Sequence, residues 1–170
     1  AIVMCSKDIA KKYTDKPVII AGIGQASSGG LSTQKDYSRP IARELASQKA
    51  YKMAGITPKD INVVELHDCF TIAEIVASEQ LGFFEFGKGG LGVEKGESQI
   101  GGRIPINPSG GLKAKGHPVG ATGAAQAYEV CNQLRGLCGP RQIEGAKYGI
   151  TDTLGGPFAS IANIIFKRGW

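Results

Sequence analysis

Long apolar runs are missing from this sequence of 170 residues: no stretch reaches the ~20 consecutive apolar positions that a membrane-spanning helix requires. Cysteine is scarce. The four present, Cys5, Cys69, Cys131 and Cys138, are too few and too scattered to staple a fold of this size, and no CxxC pair joins a second CxxC or an HxxxH. This argues against a disulfide framework and a zinc site, and implies reduced thiols in a cytoplasmic setting. Charge is not concentrated either. The net +5 comes from Lys and Arg spread along the chain, a weak pull on anions and not the dense patch of a nucleic-acid binder. Gly22-Ile23-Gly24 lacks the third glycine of a dinucleotide fingerprint and reads as strand-end flexibility. The opening Ala1-Ile2-Val3-Met4-Cys5 has no initiating Met, basic region or cleavage site; it reads as the middle of a strand, and the chain is expected to be a piece of a longer protein.

What is present is ordinary for a globular protein: 42% apolar and 21% charged residues. A chain this long buries roughly two thirds of the surface its unfolded form exposes, enough for one domain over residues 1–170. Ser6 can cap a helix from Lys7 to Tyr13, and Pro17 restarts an extended run Val18 to Ala21. Ser38 and Pro40 signal a helix start, Ile41, Leu45 and Met53 recur near helical spacing, and Gly55 stops the pattern. Ile61 to Leu66 is a strand and Thr71 to Leu81 a helix, so Cys69 falls at a strand-to-helix junction. Gly82 to Gly111 is glycine-rich and aperiodic, a candidate active-site loop. Ala121 to Leu134 reads as a helix of small residues ended by Gly136; Tyr148 to Leu154 and Phe158 to Phe166 read as strands joined at Gly155-Gly156-Pro157. The class is α/β, a sheet between helix layers.

Three segments could carry chemistry. Asn107 to Gly123 boxes His117 between glycines and Pro118 just before a helix, where backbone can approach a ligand and the helix N-terminus favours negative charge. His117 there could donate a hydrogen bond to a developing oxyanion, or could simply cap the helix. His67-Asp68-Cys69-Phe70 opens the next candidate: a helix N-terminus stabilises a thiolate, although free cysteine is also commonly a buried packing residue. Asp152-Thr153-Leu154-Gly155-Gly156-Pro157 offers backbone N–H groups, or a plain glycine hairpin. Lys113 and Lys115 could attract phosphates or remain solvated, and Phe83, Phe84 and Phe86 could line a channel or fill the core.

The segment Asn107-x-x-Gly110-Gly111-x4-Gly116-His117-Pro118-x-Gly120-x-x-Gly123 resembles the signature of thiolases over its whole length. His67-Asp68-Cys69-Phe70 is similar to the variant found in sterol-carrier-protein-type and archaeal thiolases, where other members carry Asn-Glu-Ala-Phe. The resemblance implies the C-terminal half of a thiolase, with a five-stranded mixed sheet between helix layers. It implies oxyanion-hole roles for His117 and His67, Cys69 as acid/base, and Gly155 as a second backbone donor. Gly116, Pro118 and Phe70 would then lie at the substrate surface. Thr153 stands where ordinary thiolases have a catalytic cysteine, a departure that the His-Asp-Cys-Phe type accommodates because Cys69 supplies the thiol. The implied reaction is acyl transfer between acyl-CoA thioesters, with coenzyme A as substrate and no cofactor. The implied partners are an N-terminal half carrying the nucleophilic cysteine, and further copies in a dimer or tetramer. A thiolase-like scaffold of an acyl-CoA enzyme complex is the alternative.

Overall fold

The computed structural model describes residues 1–156 and 159–170; Pro157 and Phe158, expected at the last turn and the start of the last strand, lie outside the described residues. Four strands, β1 Val18–Ser27, β2 Val63–Glu65, β3 Tyr148–Gly155 and β4 Ser160–Arg168, form one mixed sheet in the order β1-β4-β3-β2. β1 and β3 run antiparallel to β4, and β2 runs parallel to β3. The helices are α1 Lys7–Ala10, α2 Ile41–Ala54, α3 Thr71–Gln80, α4 Gly89–Glu94, α5 Gly111–Lys115 and α6 Thr122–Arg135. Successive strand residues face opposite ways, so the sheet feeds two cores. Val64, Ile150 and Ile165 pack with Ala50 and Tyr51 of α2 and Ala77 of α3, whereas Val63 and Phe166 pack with Ala127, Val130 and Leu134 of α6. The sheet thus lies between helix layers. Leu66, Leu81, Leu134, Ile150, Ile161 and Ile165 are fully buried. Each such side chain contributes about 1.5–3 kcal/mol of transfer free energy.

The thiolase resemblance implies five strands, and among the described residues the sheet has four. Beside β2, the fifth position is held by a single bridge between Val64 and Ile106. Its neighbours prevent extension. Pro105 has no N–H to return to β2. Asn107 turns to φ 50° and leaves the extended region, and its side-chain Oδ1 takes the Leu66 N–H at 2.8 Å. The opening residues form no strand either: Ile2, Val3 and Met4 are 49%, 97% and 74% exposed. A β-branched run with no neighbouring strand leaves its backbone groups to water. Behind it, α1 is a single turn, with Ser6 at the capping position but making no side-chain bond.

The face of α2 also differs from the periodic reading. Ile41, Leu45 and Met53 point outward, and the buried stripe is Ala42, Arg43, Ala46, Ser47, Ala50 and Tyr51. Gly22 and Gly24 explain it. Both lie inside β1, and a Cβ on Gly24 would overlap the Ala46 carbonyl, so the helix sits on the strand with room only for alanine. These glycines set a close approach inside β1, not the flexible strand end that the sequence pattern suggests. Ser38 does not cap α2: its N–H and hydroxyl both bond Asp36 Oδ1. At the other end Gly55, φ 66°, closes the helix. The stretch from Gly82 to Gly111 contains α4 and anchors Phe83 in the core with Tyr51 and Ile104, while the Arg103 guanidinium covers the Phe84 ring at 4.8 Å.

Candidate active site

β2 is buried along its whole length and runs directly into buried Leu66, His67 and Asp68 before α3 begins. His67 thus lies buried just beyond the end of β2. Half-buried Cys69 follows, and Phe70, at the capping position of α3, is 68% exposed.

The glycine-rich segment is stitched to this strand end by its polar side chains. The Asn107 N–H bonds the Val64 carbonyl at 2.7 Å while its Oδ1 receives Leu66 N–H. Glu65, buried at the strand end, accepts from Ser109 N–H at 3.1 Å, Ser109 Oγ at 2.7 Å and Lys115 Nζ at 3.2 Å. Burial pushes the Glu65 carboxyl upward, and Lys115 and Ser109 pull it back. Asp68 Oδ1 accepts Leu112 N–H at 2.8 Å, and a Cβ on Gly111 would overlap that carboxylate. Lys115 is thus paired with a carboxylate, not simply solvated. Together these bonds fix α5, and α5 delivers the turn that carries His117.

That turn is exposed from Gly116 through Ala121, and Gly116 takes φ 81° to leave α5. His117 folds back over His67: the ring centroids are 4.8 Å apart and the planes cross at 87°. His117 Nδ1 lies 2.6 Å from the hydroxyl of Thr122, the first residue of α6. His67 Nδ1 is buried with no hydrogen-bond partner among the described residues. Burial first, and then the neighbouring His117, hold the His67 imidazole below its ordinary range, which favours the neutral ring. Behind it lies a buried ion pair: Arg43 Nε reaches both Asp152 oxygens at 3.0 and 3.1 Å, and both side chains are fully buried.

The structure therefore brings His67 and His117 together, with Cys69 two residues beyond His67. Gly155 lies exposed at the end of β3, and Pro118 is exposed in the turn. Thr153, two residues before Gly155, donates to Gln126 Oε1 at 2.8 Å, tying β3 to the first turns of α6. Sequence reasoning gives no role to Glu65, Ser109, Thr122 and Gln126: Glu65 meets Ser109 across the fold, Gln126 meets Thr153 of β3, and Thr122 meets His117 only where the turn before α6 closes. In the sequence Asn107 is only the first letter of a motif, whereas its left-handed backbone and its bonds to Val64 and Leu66 organise the segment. Among the described residues no three His, Cys, Asp or Glu side chains gather to hold a metal, and no helix is long and apolar enough to cross a membrane.

Comparison with known proteins adds to this geometry. Residues 24–168 match the family model described as thiolase C-terminal domain-like. Acetyl-CoA acetyltransferase of Methanothermobacter thermautotrophicus is 51% identical over 169 residues, 99% of this chain and 44% of that protein. Sterol carrier protein 2 of Bos taurus is 40% identical over 162 residues, 91% of this chain and 30% of that protein. The chain thus spans less than half the length of these relatives. Among solved structures, an Ltp2-ChsH2(DUF35) aldolase superposes with a TM-score of 0.85 at 23% identity, covering 95% of this chain and 42% of that one, a likeness of fold.

Proposed function

Because the chain belongs to the thiolase C-terminal domain-like family, we propose that it supplies the oxyanion-stabilising and proton-transfer half of an acyl-CoA carbon–carbon bond enzyme. The observation that carries this reading is the edge-to-face approach of His67 and His117 at 4.8 Å, beside the α3 entrance where Cys69 sits. In condensation, the Cys69 thiolate takes a proton from the carbon next to a thioester. The electron pair moves into the carbonyl, and the resulting oxyanion is met by an N–H of His117 and by a water held at His67. The α-carbon then attacks an acyl group carried on a nucleophile: the new carbon–carbon bond forms, the acyl–nucleophile bond breaks and the nucleophile leaves with that bond's electron pair; in thiolysis the same steps run backwards. The buried, unpartnered nitrogen of His67 suits the water-holding role that asparagine has in other thiolases. Gly155 would give a backbone N–H to the second thioester, and Gly116, Pro118 and Phe70, all exposed, would face coenzyme A.

The nucleophile must come from a segment outside this chain, and covalent catalysis fails without it. Two measurements test the reading. Iodoacetamide labelling followed by mass spectrometry should modify Cys69 faster than Cys131 or Cys138. Burial raises both of those thiols, Cys138 to about 12 with Glu129 adding to the effect. A Cys69 no more reactive than Cys131 would sink the acid/base role and favour the scaffold alternative. The chain alone should not thiolyse acetoacetyl-CoA, and robust turnover would refute the division of labour.

A further inference from the structure

The geometry points to Thr122 as the positioning residue that fixes the tautomer of His117, so that Nδ1 accepts a hydrogen bond and Nε2 carries the proton. A neutral imidazole has one N–H, and which nitrogen holds it is set by the partner of the other. Thr122 is buried, so water does not compete for its hydroxyl. That hydroxyl has one proton and two acceptors within reach of it, His117 Nδ1 at 2.6 Å and the Pro118 carbonyl oxygen at 3.3 Å. The Pro118 carbonyl is already filled. It accepts Ala121 N–H at 2.9 Å and Thr122 N–H at 3.2 Å, and a carbonyl oxygen offers two lone pairs. The shorter contact to an unfilled acceptor therefore receives the hydroxyl proton.

The consequence is directional. With Nδ1 bonded from α6, the Nε2–H is the polar group His117 presents away from the helix. The reversed tautomer would present a lone pair and repel an oxyanion. α5 and the stitched segment place the ring, and Thr122 decides which edge of it donates. The catalytic value of this arrangement rests on reading His117 as an oxyanion donor; the tautomer itself does not.

The test is long-range 1H–15N correlation of the uniformly 15N-labelled chain above the histidine titration range. The chain has two histidines, and a His67→Asn variant assigns the remaining ring. The expected spectrum shows His117 with a protonated, pyrrole-type Nε2 and an unprotonated Nδ1. Thr122→Ser should preserve both positions, and Thr122→Val should move both nitrogens toward the average of the two tautomers. A protonated Nδ1 in the native chain overturns the assignment, and so does a folded Thr122→Val with unchanged ring shifts. Should Thr122→Val fail to fold, the native and Thr122→Ser spectra still decide the direction. A correct tautomer combined with an unreactive Cys69 would instead leave this inference standing and remove the proposed function.

Discussion

His67 takes up a proton reluctantly in the folded chain, because the ring is buried and His117 stands against it. In the unfolded chain a histidine protonates near ~6.5. A folded value below that contributes stability that is fully present above ~6.5 and is lost as pH falls toward the folded value. Glu65 works in the opposite sense. Its raised carboxyl contributes stability in acid that is lost as pH rises through the folded value. The two effects overlap on the acid side, so the informative quantity is a difference. In urea unfolding from pH 8 down to 5, the native chain should lose ground against His67→Asn as the pH falls, since asparagine cannot titrate. A gap between the two that stays flat over this range would mean that His67 is not held neutral. At this scale motifs of fixed spacing draw attention to His67, Cys69 and His117, and the structure adds that the two histidine rings meet. Thr122 and Glu65 are not legible in the same way. The partner of Glu65 is Lys115, fifty positions away, and Thr122 reveals its task only when the first turn of α6 meets the histidine ring.

Among the elements, α2 shows why periodicity alone misplaces a helix face. Large apolar residues usually mark the buried side. Here the glycines of β1 bring the helix axis so close that the interface selects alanine, and Ile41, Leu45 and Met53 are left outside. The same helix sends Arg43 inward, where it joins α2 to Asp152 of β3, to Gln80 of α3 at 3.1 Å, and through Asp152 to Asn163 of β4 at 2.9 Å. Nothing in the sequence around Arg43 signals this, because an arginine on a helix is ordinarily solvated. Removing one charge leaves the other buried and unpaired. Asp152→Leu or Arg43→Met should each cost about 3–5 kcal/mol in chemical denaturation. The double replacement should cost less than the sum, because it removes the orphaned charge. Additive losses would show that the two side chains do not act as a pair.

For the whole molecule, the question is whether two cores on opposite faces of one sheet melt together. β2 and β3 feed both: Val63 and Val64 turn to opposite sides, and Gly149 and Ile150 do the same. Where a fifth strand would lie, Asn107 ties the segment to the sheet twice, its N–H donating to the Val64 carbonyl at 2.7 Å and its side-chain Oδ1 accepting the Leu66 N–H at 2.8 Å. The class of fold was readable from alternating strand and helix patterns, whereas the strand count was not, because one proline and one left-handed asparagine stop a ladder that composition permits. Asn107→Ala tests the coupling. It deprives the Leu66 N–H of its acceptor and places alanine at φ 50°, a loss of about 1–3 kcal/mol for the unsatisfied buried group alone. Two probes sit far apart in the fold: far-UV circular dichroism reports the helices, and the fluorescence of Trp170 reports the end of β4, where Arg168 lies 5.4 Å over its ring. If the sheet couples both cores, the variant should lower the urea midpoint equally by both probes, with one transition and an unchanged slope. A dichroism transition that moves while the Trp170 transition stays in place would mean that the β1–β4 side folds independently of the site.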